Sequence, residues 1–119
     1  MFNKSNSRVK KSKYRAIKTE VDGILFDSKK EAEYYKKLSL LKKNGLIKTI
    51  ALQVAFNYEI NYTANERIFK SKGKYIADFI VTYNDGSIEV IDVKGFRTPE
   101  YKRKKKIVEN LYQIKIIEK

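Results

Sequence analysis

The sequence predicts an α/β (α+β) domain with its elements in the order helix, three strands, helix, strand (αβββαβ), and three observations carry that prediction. An apolar stripe of helical period runs between Ser28 and Asn44, residues alternate with period two on both sides of an Asn84-Asp85-Gly86 turn, and Thr98-Pro99-Glu100 opens a second helix. At 119 residues, 42% apolar and 13% aromatic, the chain has material for one modest core and not for two.

Residues 1–18, MFNKSNSRVKKSKYRAIK, hold seven basic side chains and no acidic one, with little periodicity. They read as a flexible basic arm ahead of a single domain at residues 19–119. Asp22-Gly23 marks a short hairpin. Ser28 caps a helix on which Tyr34, Tyr35, Leu38 and Leu41 share one stripe, with Glu31 at its edge and Glu33 nearly opposite among lysines; Gly45 stops it. From Ile47 to Ile60 the chain alternates, placing Ile50, Leu52, Val54, Phe56, Tyr58 and Ile60 on one side of a long strand. Residues 61–73 predict a polar excursion or hairpin loop ending at Gly73. Two further strands, about Lys74 to Tyr83 and Ser87 to Val93, are joined by the Asn-Asp-Gly turn. Thr98 caps the second helix, Pro99 takes its first position, and Tyr101, Ile107, Val108 and Leu111 give it an apolar face before a final strand near Tyr112 to Glu118.

Composition narrows the chemistry. The chain has no cysteine and no histidine, which excludes disulfides, thiolate and imidazole catalysis, and His/Cys zinc sites. No apolar stretch approaches the roughly 20 residues that span a bilayer, and the first residues contain no apolar secretory segment, so the expected location is cytoplasmic. With 27 Lys and Arg against 14 Asp and Glu the formal net charge is +13, which calls for a polyanionic partner. Nucleic acid is favoured over a membrane because no segment joins a basic face to a broad apolar one.

The carboxylates and the lysine that interrupt the predicted strands are the candidate site. Ile76, Asp78 and Ile80 fall on one face of the first strand, Tyr75, Ala77, Phe79 and Val81 on the other, and Val90, Asp92 and Lys94 share a face of the second. Pairing through the turn brings Asp78 and Asp92 near each other among apolar neighbours. Two such carboxylates repel unless a cation neutralises them. Lys94 supplies part of that compensation and a divalent ion the rest, Mg²⁺ or Mn²⁺ given an oxygen-only donor set. Glu31 is the natural third carboxylate. It also completes, with Ser28, the S-x-x-E capping box, in which it serves backbone amides instead. The set suits phosphodiester hydrolysis, with Lys94 orienting the attacking water or stabilising the pentavalent phosphorus.

The residues Ala77-Asp78-Phe79, thirteen positions, then Asp92-Val93-Lys94 resemble the PD-(D/E)xK nuclease superfamily, Asp78 matching its first acidic residue and Asp92-x-Lys94 its second element. Ser28 to Tyr35, SKKEAEYY, resembles the first-helix segment that contributes Glu31, and residues 19–117 resemble a family of small phage-borne nuclease-like proteins within that superfamily. Ala77 stands where the superfamily has Pro. The resemblance implies a restriction-endonuclease-like core, a four-stranded mixed sheet flanked by helices. It also implies Mg²⁺-dependent endonuclease activity on DNA, with Mn²⁺ able to substitute, in roles such as junction or branched-DNA processing in phage recombination or repair, in the host cytoplasm if phage-encoded. Glu31, Asp78 and Asp92, with Val93 through its main chain, are the implied metal ligands, and Glu31, Asp78, Asp92 and Lys94 the implied catalytic set. The alternative is a non-catalytic DNA-binding or regulatory protein on the same scaffold.

Arg97-Thr98-Pro99-Glu100-Tyr101-Lys102-Arg103-Lys104-Lys105-Lys106 holds six basic residues in ten, just past Lys94. Candidate DNA contacts are Lys29, Lys30, Arg97, Lys102, Arg103, Lys104 and Lys105, as phosphate-positioning groups without a base code. Gln53 is a candidate for orienting water or a metal ligand. Tyr14, Tyr62 and Phe69 are spare aromatics suited to stacking on an unpaired base. A homodimer is expected on functional grounds, since a cut through both strands needs two sites.

Overall fold

The computed structural model describes residues 17–93 and 96–119. Of the basic arm expected at residues 1–18 only Ile17 and Lys18 fall within the described residues, and both are exposed. The chain divides into two units, Met1–Lys36 and Lys37–Lys119, with the boundary inside the first helix.

In the first unit β1 (Thr19–Val21) and β2 (Ile24–Phe26) form an antiparallel hairpin with Val21 opposite Ile24. Asp22 and Gly23 both take positive φ, 54° and 78°, as a two-residue turn of type I′ requires. Phe26 is buried and its ring meets that of Tyr35 at 5.0 Å. Helix α1 (Lys29–Lys43) begins where Ser28 Oγ accepts the Glu31 amide at 3.0 Å, satisfying one of the orphan donors of the first turn.

In the second unit α1 ends as its sequence dictates. Gly45 takes φ 81° and the Leu46 amide donates back to the Leu41 carbonyl at 2.9 Å, closing the last turn beside Lys42 and Lys43. There follow β3 (Thr49–Ala64), β4 (Arg67–Thr82), β5 (Ile88–Asp92), α2 (Pro99–Tyr112) and β6 (Ile116–Glu118). The sheet order is β3-β4-β5-β6, antiparallel across the first two pairs and parallel across the last. Among the described residues the architecture is therefore α+β with a four-stranded mixed sheet, a separate two-stranded sheet and two helices, in the expected αβββαβ order after the hairpin.

Residues 61–73 differ from expectation. They are not a loop: β3 and β4 run through them in continuous register from Tyr58↔Gly73 to Ala64↔Arg67 and turn at Asn65-Glu66, φ 53° and 62°. The stretch is a two-stranded ribbon with Asn61, Thr63, Ile68, Lys70 and Lys72 on one face, and its other face holds Ile60 opposite Ser71 and the cross-strand pair Tyr62 opposite Phe69. Gly73 is required there. A Cβ on it would lie 2.6 Å from the Tyr58 hydroxyl oxygen and 2.8 Å from Cζ.

Thr98 caps α2 by accepting the Tyr101 amide at 3.0 Å, with Pro99 next, as predicted. The helix closes on Gln113, which adopts the left-handed conformation at φ 55°. Its inner face joins one buried cluster of Tyr58, Tyr75, Ala77, Val90, Tyr101, Val108 and Ile116, with Phe56, Ile80 and Ile107 packed against it. Val108 and Ile116 are at most 2% exposed, each burial contributing about 1.5–3 kcal/mol.

This cluster exposes an irregularity in β4. Tyr75 and Ala77 belong to it, yet so does the neighbourhood of Ile80, so the strict alternation of faces shifts by one between Ala77 and Ile80. The shift coincides with Gln53 on β3, which takes φ 52° within its strand and is skipped by the ladder between Leu52↔Phe79 and Val54↔Ala77. Gln53 and Asp78 are the two residues at that level.

Candidate active site

The β4–β5 ladder ends at Phe79↔Ile91, so the next positions outward are Asp78 and Asp92, facing each other across the two strands. Asp78 is half-buried and its Oδ2 accepts the Val93 amide at 2.8 Å. That bond ties the carboxylate of one strand to the backbone just past the other. Asp92 is 1% exposed and its Oδ2 accepts from the Tyr75 hydroxyl. Its main-chain carbonyl accepts the Lys119 amide at 3.0 Å, and β6 brings Glu118 alongside it in parallel register.

Tyr75, which period two places on the face of its strand opposite Asp78, meets Asp92 through this contact. The shift in β4 turns Tyr75 toward α2, where the Asp92 carboxylate also points, and its ring meets Tyr101 at 6.2 Å. The Tyr101 hydroxyl donates to Glu118 Oε2 at 2.8 Å, and Arg97 Nε donates to Glu118 Oε1 at 2.8 Å. Burial pushes the Tyr75 hydroxyl far above its ordinary pKa, helped by its bond to Asp92 and by the negative charges of Asp92 and Asp78. Burial raises Tyr101 likewise, with its bond to Glu118 and the charge of Asp92 adding to it. Burial alone would raise Glu118, but its bonds from Tyr101 and Arg97, with the charges of Arg97 and Lys105, hold it below the usual carboxylate value. Tyr75, Tyr101 and Glu118, which the sequence places as core or strand, border the candidate site. The only signal for them was that a buried tyrosine must place its hydroxyl against a polar partner.

Glu31 lies in the first unit and is 5% exposed, the one buried acidic residue of α1, while Glu33 is exposed in an ion pair with Lys36 at 3.2 Å. Its amide caps on Ser28, which establishes half of the capping box. Lys94 lies outside the described residues. Val93 is buried. Gln53 is exposed.

The basic candidates divide by what they touch. Lys104 pairs with Glu100 at 3.4 Å, Lys105 with Glu109 at 3.6 Å, and Arg97 with Glu118. Among the described residues Lys102, Arg103 and Lys106 make no such pair, and all three are exposed. Lys29 and Lys30 are exposed at the start of α1.

Asp78, Asp92 and the Val93 carbonyl present hard oxygen donors only. No group of three or more acidic side chains gathers closely enough to hold an ion among the described residues. The set still fits Mg²⁺, which is commonly held by one or two carboxylates with waters and substrate phosphate oxygens completing its shell.

No helix among the described residues is long and apolar enough to cross a membrane. Comparison with curated proteins and with solved structures gives no match. A family model matches residues 11–117, nearly the whole chain, and the chain belongs to that family, described as protein of unknown function (DUF1064).

Proposed function

We propose that this protein is a Mg²⁺-dependent endonuclease of the PD-(D/E)xK type that hydrolyses DNA phosphodiester bonds in the cytoplasm, the host's if the chain is phage-borne. The observation that carries the reading is the pair Asp78 and Asp92, opposed where the β4–β5 ladder ends, each with one oxygen fixed, Asp78 by the Val93 amide and Asp92 by the Tyr75 hydroxyl. Fixed carboxylates need no reorganisation when the reaction occurs, which is where most electrostatic catalysis resides. Asp78, Asp92 and the Val93 carbonyl are the groups that would hold the ion. A divalent ion supplies polarisation of the phosphodiester, acidification of water and charge for the leaving 3′ oxygen. Lys94, two residues past Asp92, is assigned to orienting the attacking water or stabilising the phosphorus centre. Lys102, Arg103 and Lys106 place the backbone phosphates. A dimer would allow both strands to be cut.

The test is cleavage of duplex, single-stranded, flapped and four-way-junction DNA by purified protein in Mg²⁺ and in Mn²⁺. Cutting or nicking of at least one substrate is expected. Survival of every substrate at high protein concentration in both metals rejects the enzyme reading, and salt-sensitive DNA binding in the same samples would leave the non-catalytic alternative.

A further inference from the structure

The outer half of the β3–β4 ribbon has a task that the proposed active site does not use. β5 pairs with β4 only over Phe79 to Thr82, so residues 57–74 extend as a two-stranded ribbon with no third strand among the described residues. Such a ribbon is marginal alone. Its inner face leans on α2, with Tyr58 and Ile107 in or against the same cluster. Toward its tip Tyr62 and Phe69 stack across the strands at 5.5 Å with planes 23° apart, yet remain 48% and 39% exposed. Below them a cleft of about 360 Å³ is lined by Ile60, Tyr62, Ser71, Arg103 and Ile107, at the lower end of the range for ligand pockets. Arg103 and Ile107 also border a second hollow whose rim adds Lys102 and Lys106. An exposed aromatic wall therefore continues into the three α2 cations that carry no ion pair among the described residues.

We propose that this groove binds a single-stranded segment of DNA, an unpaired base stacking on Tyr62 while Arg103, Lys102 and Lys106 take the flanking phosphates. Charge complementarity sets the ligand's sign, and the flat exposed ring sets its other requirement, a π-face that paired bases keep inside the duplex. A neutral peptide would leave the three cations without a counter-charge, and the carboxylates of an acidic peptide would meet the cations while offering the Tyr62 ring no flat π-face to stack on. The inference rests on the DNA reading above and deepens it: the substrate class becomes DNA with unpaired bases, such as a single strand, a flap or a branch.

The experiment is fluorescence anisotropy with labelled oligo(dT) and with a blunt hairpin duplex, using the full chain in EDTA so that no cleavage intervenes. Tyr62→Ala is expected to weaken oligo(dT) binding about tenfold while leaving duplex binding unchanged, and Tyr62→Phe to keep both. Equal losses on both ligands, or no loss on oligo(dT), overturn the inference. So does a dimer in sedimentation velocity that Tyr62→Ala converts to monomer at unchanged oligo(dT) affinity, because the face would then be covered by a second copy. If Tyr62→Ala does not fold, photocrosslinking of wild-type protein to an iododeoxyuridine strand decides: adducts at Tyr62 or Phe69 support the groove, and adducts confined elsewhere reject it. Stacking at Tyr62 without any cleavage would sink the nuclease reading alone, and cleavage indifferent to Tyr62 would sink the groove alone.

Discussion

The carboxylate of Asp78, inside β4 where its pairing with β5 ends, accepts the main-chain amide of Val93 at 2.8 Å and locks β4 to the residue that follows β5. This contact lies just past the last pair of the β4–β5 ladder, Phe79↔Ile91. Asp92, adjacent to Val93 and 1% exposed, is held in turn by the Tyr75 hydroxyl.

Tyr75→Phe removes that hydroxyl and leaves a buried carboxylate oxygen without its donor. We expect a stability loss of about 1–3 kcal/mol in urea unfolding. Activity should fall about 10–100-fold, as for other groups that orient a ligand. Unchanged stability and activity together would show that Tyr75 merely fills space.

Glu118→Gln tests the network on the far side of Tyr101. Glu118 is held below its ordinary value of 4.5 by the Tyr101 and Arg97 bonds, so its contribution is present above that value and is lost as pH falls through the lower folded value. The wild-type protein should therefore lose stability through this acid window, and Glu118→Gln should flatten that part of the curve while being less stable at pH 7. Identical pH profiles for the two proteins would refute the linkage.

Much of this architecture was legible because it is written locally. Asp22-Gly23, the Ser28 and Thr98 caps and the Asn-Asp-Gly turn place themselves within a few residues. Asp78 and Asp92 stood out because carboxylates in apolar strands demand a reason, and the burial of Glu31 agrees with its place on the helical stripe. The ribbon was not legible, since polar residues outnumber apolar ones along it and its Asn65-Glu66 turn contains no glycine although both residues take positive φ. Nor was the face shift near Asp78, which depends on a left-handed Gln53 one strand away, nor the Tyr75–Asp92 bond that the shift allows. These are non-local consequences of the backbone.

Gly73→Ala tests the ribbon. Its methyl group would lie 2.6 Å from the hydroxyl oxygen and 2.8 Å from Cζ of Tyr58, itself 5% exposed within the cluster. We expect overpacking to cost about 1–3 kcal/mol in urea unfolding. A neutral substitution would mean that Tyr58 moves aside freely.

Salt dependence separates the two sets of α2 cations. Lys102→Ala and Lys106→Ala should each reduce the slope of log affinity for DNA against log salt by about 1, because each removes one phosphate contact. Lys104→Ala and Lys105→Ala should change it less, their charges being partly met by Glu100 and Glu109. Equal slopes for all four variants would contradict this division.

The central claim is that Asp78 and Asp92 form a metal-dependent hydrolytic centre, and nicking of supercoiled plasmid in Mg²⁺ by wild-type protein and by Asp92→Asn tests it most directly. The account predicts conversion to open circles by the wild type, none in EDTA, and a loss of at least about 10²-fold in Asp92→Asn with its circular dichroism unchanged. Nicking by a folded Asp92→Asn protein at the wild-type rate would contradict it.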